Sequence, residues 1–334
     1  MRVLSLLALI PSVVYAAAVQ PNANAISPQI NGSSVADQLV NAMGLGSIDP
    51  RFTIDPEASP DAINSVSAYM NALSILTYLA RMDFDGQLPD DKESSCMEPW
   101  TDVYVAVMKL GPEPLERRFA IWGLFLSIQY LYKTSFTDTT IDLIYNGQPV
   151  GTVLFRLTRP STLEAAGFNS TNSTITNPNA VASEHDNSSI TVLEAVPHTQ
   201  VSYILNGKDL SPAAVYISLA SALVIMAERG SASPMFYIAQ RWAELNVWFK
   251  LTPERTVVRP APPPQYMTVG EGIVAVWFTA VYMGRRQPPR YAEYTSLILY
   301  NDVRLGTINA DYAAGPPAVQ KPGSAAAGNG VATT

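Results

Sequence analysis

The sequence predicts a mixed α/β (α+β) protein of two tandem related units. Each unit reads as a two-layer sandwich of order β-α-β-α-β-β, and the pair is expected to pack as a pseudo-dimer. Three observations lead there. The chain matches itself internally, each matching stretch carries a helix with an apolar stripe, and each closes on a hairpin with turn residues at its tip.

The internal match is strongest between Phe119–Val153 and Val274–Ile308, which align without a gap. Seven of the 35 positions are identical: Ala120/Ala275, Trp122/Trp277, Thr140/Thr295, Tyr145/Tyr300, Asn146/Asn301, Gly151/Gly306 and Thr152/Thr307. Upstream, Ala72–Leu76 resembles Ala222–Met226. A Ser-Pro pair precedes each, Ser59-Pro60 and Ser211-Pro212. Serine accepts from free N–H groups at a helix start and proline suits the first helical position, so both pairs predict helix starts.

The elements follow in order. A first strand is expected at Phe52–Ile54 and Val201–Leu205, then an apolar helix at Pro60–Arg81 and Pro212–Arg229. A second strand comes at Val103–Leu110 and Val247–Leu251. A tryptophan-bearing helix covers Glu113–Lys133 and Thr268–Arg285. Its stripe is Leu115, Phe119, Trp122, Leu126 and Tyr130 in the first unit and Ile273, Val276, Trp277 and Ala280 in the second. Both tryptophans are expected to anchor cores. The hairpins are Thr139–Tyr145 with Val150–Leu157, and Glu293–Tyr300 with Arg304–Asn309. Asn146-Gly147 and Asn301-Asp302 supply residues that tolerate positive φ at the turns.

The remaining chain divides by composition. Residues 1–18 read as a signal peptide: Arg2, an apolar run, then small residues ending at Ala16 or Ala18. Residues 19–50 read as a flexible leader, 51–159 as the first unit, and 160–198 as a disordered, glycosylated linker. Residues 199–312 form the second unit and 313–334 a disordered tail. The second unit carries an insertion, Pro253–Met267, with Pro260, Pro262, Pro263 and Pro264 in a polyproline-like surface loop. N-glycosylation sequons begin at Asn31, Asn169, Asn172 and Asn187. Ala213–Ala227 is too short to span a bilayer and suits a buried core helix. With no hydrophobic C-terminal tail for a GPI anchor, the product is expected to be secreted and soluble.

Composition narrows the function. Of 334 residues, 48% are hydrophobic and 15% charged, enough apolar surface to form a sizeable core. The net charge of −7 argues against nucleic-acid binding. It is uneven, −10 over residues 1–198 and +3 over 199–334, which could draw the halves together or serve an anionic partner. One cysteine, Cys96, precludes an intrachain disulfide scaffold.

Catalytic and metal constellations are sparse. The histidines are His185, inside the linker, and His198, at the edge of the second unit. Neither has a nucleophile motif or zinc-ligand spacing beside it, so no metal site and no cofactor is expected. Asp83, Asp85, Asp90 and Asp91 surround Gly86 without the calcium-loop pattern and read as a solvated acidic loop. Glu113 and Glu116 are explained by a helix N-terminus, as is Glu271 between Gly270 and Gly272. Arg285, Arg286 and Arg290, with Tyr282 and Tyr291 nearby, form the candidate anion-binding patch, although cations at a helix C-terminus are also stabilised by the dipole alone.

These readings favour a secreted glycoprotein that binds rather than catalyses, with a cell-wall polysaccharide or an extracellular protein as partner. The alternatives are a carboxylate-dependent extracellular hydrolase and a structural cell-surface protein. The short leader, polar linker and low charge resemble the proteins that filamentous fungi secrete; that likeness is compositional and implies no fold or activity.

Overall fold

A computed structural model describes residues 48–158, 197–254, 266–286 and 290–313. The first half runs β1 (Phe52–Ala62), α1 (Ser65–Ala80), β2 (Lys92–Ser95), β3 (Val103–Lys109), α2 (Arg117–Thr134), β4 (Thr137–Tyr145) and β5 (Gln148–Leu157). The second runs β6 (His198–Tyr203), α3 (Pro212–Ala227), β7 (Ile238–Trp242), β8 (Val247–Pro253), α4 (Val269–Arg285), β9 (Tyr294–Tyr300) and β10 (Val303–Tyr312). Each half builds a five-stranded antiparallel sheet, ordered β1-β4-β5-β3-β2 and β6-β9-β10-β8-β7. The two orders are the same once sequence positions are matched, so the duplication extends to topology.

The internal match also holds in register. Gly151 lies opposite Leu143 and Gly306 opposite Ile298, the same pairing in each hairpin. The glycines are needed because the neighbouring strand comes too close for a side chain. A Cβ at Gly151 would lie 2.9 Å from the Met108 carbonyl oxygen, and one at Gly306 2.6 Å from that of Thr252. At the tips, Asn146, Gly147, Asn301 and Asp302 all adopt positive φ, as the two-residue turns require.

Two helix starts differ in kind. Ser211 caps α3 as expected, its hydroxyl accepting from the Ala214 N–H at 3.0 Å, with Pro212 in the first turn. Ser59-Pro60 starts no helix. Both residues lie in β1, which runs on to Ala62, and the register with β4 shifts between Ala58 and Ala62. β1 is an edge strand, and a bulged edge tolerates a residue with no N–H to donate. The helix starts instead after Asn64, whose side chain accepts from Val66 and Ser67. Similarly, α2 begins at Arg117, so Glu113 precedes it and Glu116 is its cap residue. Short edge strands β2 and β7 complete the sheets; Lys92-Glu-Ser-Ser95 has neither the β-branched nor the aromatic residues that announce a strand.

The helices of both halves share one continuous apolar core. α1 packs on α3 and α4, and α3 packs on α2 as well as α4. This explains α3, which has no apolar stripe and buries 14 of its 16 residues. A helix that is hydrophobic all round needs neighbours on every side. Tyr69 of α1 stacks on Tyr216 of α3 with ring centroids 5.2 Å apart. Trp100 of the first half lies against Gly284 of α4, and Trp242 of the second meets Phe125 of α2 at 6.4 Å. Trp100 is held by the fully buried Asn71, whose amide donates to the Trp100 and Val103 carbonyls and accepts from the Ser95 hydroxyl. The halves are thus a pseudo-dimer joined through their helices, with the strands' alternating polar residues facing out, as in β4.

Candidate functional site

The second half carries an open groove of 480 Å³ where the start of β6 meets the C-terminal part of α4. Phe278, Val281, Tyr282 and Arg285 follow at three- and four-residue spacing, which puts them on one helical face. Phe278 and Val281 on that face pack half-buried against the edge of the core while Tyr282 and Arg285 are exposed; Trp277, Ala280, Met283 and Gly284 on the other face are buried. The opposite wall is His198 and Thr199. α4 is anchored at its far end by a capping box, in which Thr268 and Glu271 satisfy each other's backbone N–H.

Arg285 and Arg286 line the groove, and Arg290 lies beside Arg286. The Arg286 and Arg290 guanidiniums both lie over the Tyr203 ring, 4.8 and 4.7 Å from its centroid. The Tyr203 hydroxyl donates to the Arg290 carbonyl oxygen at 2.9 Å, which holds the ring beside them. Burial pushes the Tyr203 phenol above its ordinary range, so it remains a neutral donor at physiological pH. Arg286 donates to the Tyr282 hydroxyl at 3.4 Å, and Arg285 reaches over Trp100 of the first half at 6.0 Å. Among the described residues, no carboxylate lies within ion-pair distance of Arg285, Arg286 or Arg290. Arg51, Arg118 and Arg304 each have one, at 2.6 to 2.7 Å. The helix dipole is equivalent to about half a charge, and it favours a cation in the last turn without balancing three. The arrangement suits an anion with an apolar portion: charge from the arginines, Phe278 and Val281 along the wall.

The first half has no counterpart. Its equivalent α2 positions are Gly123, Leu126, Ser127 and Leu131, all buried, and the half-buried Tyr130, none of them cationic. The duplicated scaffold therefore diverges at this face, keeping it packed in one copy and opening it in the other.

The other residues singled out by sequence fall as follows. Trp122 and Trp277 are 4% and 8% exposed and belong to the core. Tyr291 turns inward, its hydroxyl 3.2 Å from that of Tyr216, and so is not part of the arginine patch. In the acidic loop Asp91 pairs with Lys109 at 2.7 Å and Asp85 faces Arg118 at 3.7 Å, while Arg117 donates to the Asp83 carbonyl. Among the described residues, no three His, Cys, Asp or Glu side chains converge. Cys96 is half-buried, with its thiol near the Thr101 carbonyl, and burial raises its pKa. Asn31, Asn169, Asn172, Asn187, His185 and Pro260, Pro262, Pro263 and Pro264 of the insertion lie outside the described residues, whereas Pro253 is the last residue of β8. Two participants were not legible beforehand. Tyr203 joins the patch through the β6–β9 register, and Phe278 is only half-buried, which the helical pattern alone does not say of any one apolar residue.

No family model matches the chain, and no curated protein does. Two solved structures are similar to it at low identity. Both are tandem DUF26 ectodomains of Arabidopsis thaliana cysteine-rich receptor-like proteins, PDLP8 (8% identity, TM-score 0.21) and PDLP5 (10%, TM-score 0.20). Each comparison covers 78% of this chain and 96% or 98% of the other.

Proposed function

We propose that the chain is a secreted, N-glycosylated extracellular protein that acts by binding, and that the groove beside α4 takes an anionic ligand. One observation carries the reading: Arg285 and Arg286 line a groove with an apolar wall, Arg290 joins Arg286 over the Tyr203 ring, and none of the three has a carboxylate partner among the described residues. The signal-peptide pattern at 1–18 and the sequons at Asn31, Asn169, Asn172 and Asn187 support export. Enzymatic deglycosylation should then lower the mass of the secreted product.

The test is titration calorimetry of the secreted chain with phenyl phosphate, inorganic phosphate and phenol. Phenyl phosphate should bind best, because it alone engages both the cations and the wall, and added salt should weaken it. The double variant Arg285→Gln, Arg286→Gln should lose about ten-fold or more in affinity, since charge-assisted hydrogen bonds are each among the stronger kind. These side chains are exposed, so the melting temperature should hold. Equal affinity in the variant, or no binding by the parent protein, would remove the groove from the account.

A further inference from the structure

Next to the arginines is an apolar tip that the groove does not use. Leu205 is 90% exposed and Ile204 39% exposed, in the turn that leaves β6 directly after Tyr203. The turn is well tied: the Ile204 N–H donates to the Glu293 carbonyl, and the Gly207 N–H to the Ile204 carbonyl, both at 3.0 Å. Asn206 takes positive φ to close it. Leu205 is therefore held out by an ordered backbone. Lone apolar residues on a surface need no explanation. Two consecutive aliphatic residues at a turn tip, adjoining a tyrosine with two guanidiniums over its ring, make a different pattern. The nearby Glu293 carboxylate is already engaged by the Lys208 and Tyr312 N–H groups, at 2.9 and 2.7 Å. Asp209, at the far end of the turn, is bridged to Ala292.

We propose that this turn docks on an anionic phospholipid surface. Leu205 and Ile204 enter the boundary between headgroups and acyl chains, while Arg286 and Arg290, with Arg285 behind them, meet the lipid phosphates. The inference rests on the anion reading of the groove and names the source of the anion as a bilayer. Aliphatic side chains gain by leaving water, and cations gain from the negative surface potential of anionic lipid. No helix among the described residues is long and apolar enough to cross a membrane, so attachment through them would be peripheral.

Co-sedimentation of the full secreted chain tests it, with phosphatidylcholine vesicles against vesicles of phosphatidylcholine and phosphatidylserine at roughly 7:3. Binding is expected only to the mixed vesicles. Leu205→Ser should lower that partition about ten-fold while leaving phenyl phosphate affinity unchanged. Arg286→Gln with Arg290→Gln should lower both. Both positions are exposed, and melting curves verify that each variant is folded. If the protein binds phenyl phosphate but ignores the mixed vesicles, or if Leu205→Ser sediments as the parent does, the membrane inference is wrong and the anion groove stands. If neither probe binds, both readings fall.

Discussion

Tyr216 offers the sharpest test of the shared core. It is 0% exposed, stacked on Tyr69 across the two halves, and its ring meets Tyr291 edge-on at 5.7 Å. Burial pushes its phenol far above the ordinary range, so no protonation change complicates the comparison at neutral pH. Tyr216→Ala removes a ring with no solvent to replace it. By analogy with buried aromatic truncations it should cost about 3–5 kcal/mol, and the Tyr291 hydroxyl loses its partner as well. Tyr216→Phe removes only the hydroxyl pair and should cost about 0.5–1.5 kcal/mol. The assay is urea unfolding followed by tryptophan fluorescence and far-UV circular dichroism. Trp100 and Trp122 report from the first half, and Trp242 and Trp277 from the second. Because the cavity opens where α1, α3 and α4 meet, both signals should shift together in one transition with a lowered midpoint. Separate transitions, or a loss below about 1 kcal/mol for Tyr216→Ala, would refute the idea that the halves fold as one unit.

Further outcomes follow from single positions. Burial, and then the charge of Asp90, pushes the Glu93 carboxyl up to about 7 from 4.5. Between those values the native state holds a proton that the unfolded chain has released, so stability falls as pH rises through the window. Glu93→Gln should therefore raise the melting free energy at pH 8 by about 1 kcal/mol, discounted for the residue's partial exposure, and change nothing at pH 4. Gly306→Ala should cost about 1–3 kcal/mol, because the obstacle is the Thr252 backbone carbonyl and cannot swing aside. Thermal denaturation decides it; an unchanged midpoint would mean that β8 yields at no cost. Thr268→Ala deletes one side of the α4 capping box and should lower stability by about 1 kcal/mol, and Glu271→Ala should add a further loss, because its carboxylate accepts from the backbone N–H of residue 268, which alanine retains.

Much of this fold was legible because the duplication doubled every signal. A single Gly151 says little, whereas Gly151 and Gly306 at matched positions point to a shared backbone constraint, and the strand contacts supply it. The Asn-Gly and Asn-Asp tips were readable from the φ they require. The failure at Ser59-Pro60 came from the same doubling: the resemblance to Ser211-Pro212 is real in sequence, but β1 runs through the first pair at a bulged edge. β2 was hidden because Lys92-Glu-Ser-Ser95 carries no strand-forming residues, and β7 because it is only five residues long, although Ile238 and Trp242 are buried. At the candidate site, the arginines could be read from a cluster of charge. Tyr203 lies 80 or more residues away in sequence from its partners and reaches them only through strand register. Which apolar residues of α4 face outward depends on how the two halves meet, and no periodicity within one helix encodes that.

A dimer of separate half-chains with the same helical interface would dissociate on dilution, since its stability would depend on protomer concentration. Here both halves belong to one polypeptide, with residues 159–196 between the described segments. The covalent connection sets a local concentration of one half around the other that no external volume can reduce. Covalent fusion makes the shared core independent of protein concentration. It also allows the two copies to differ, which a symmetric dimer cannot do, and the arginines that line the α4 groove, with buried or half-buried uncharged residues at the matching α2 positions, depend on that freedom.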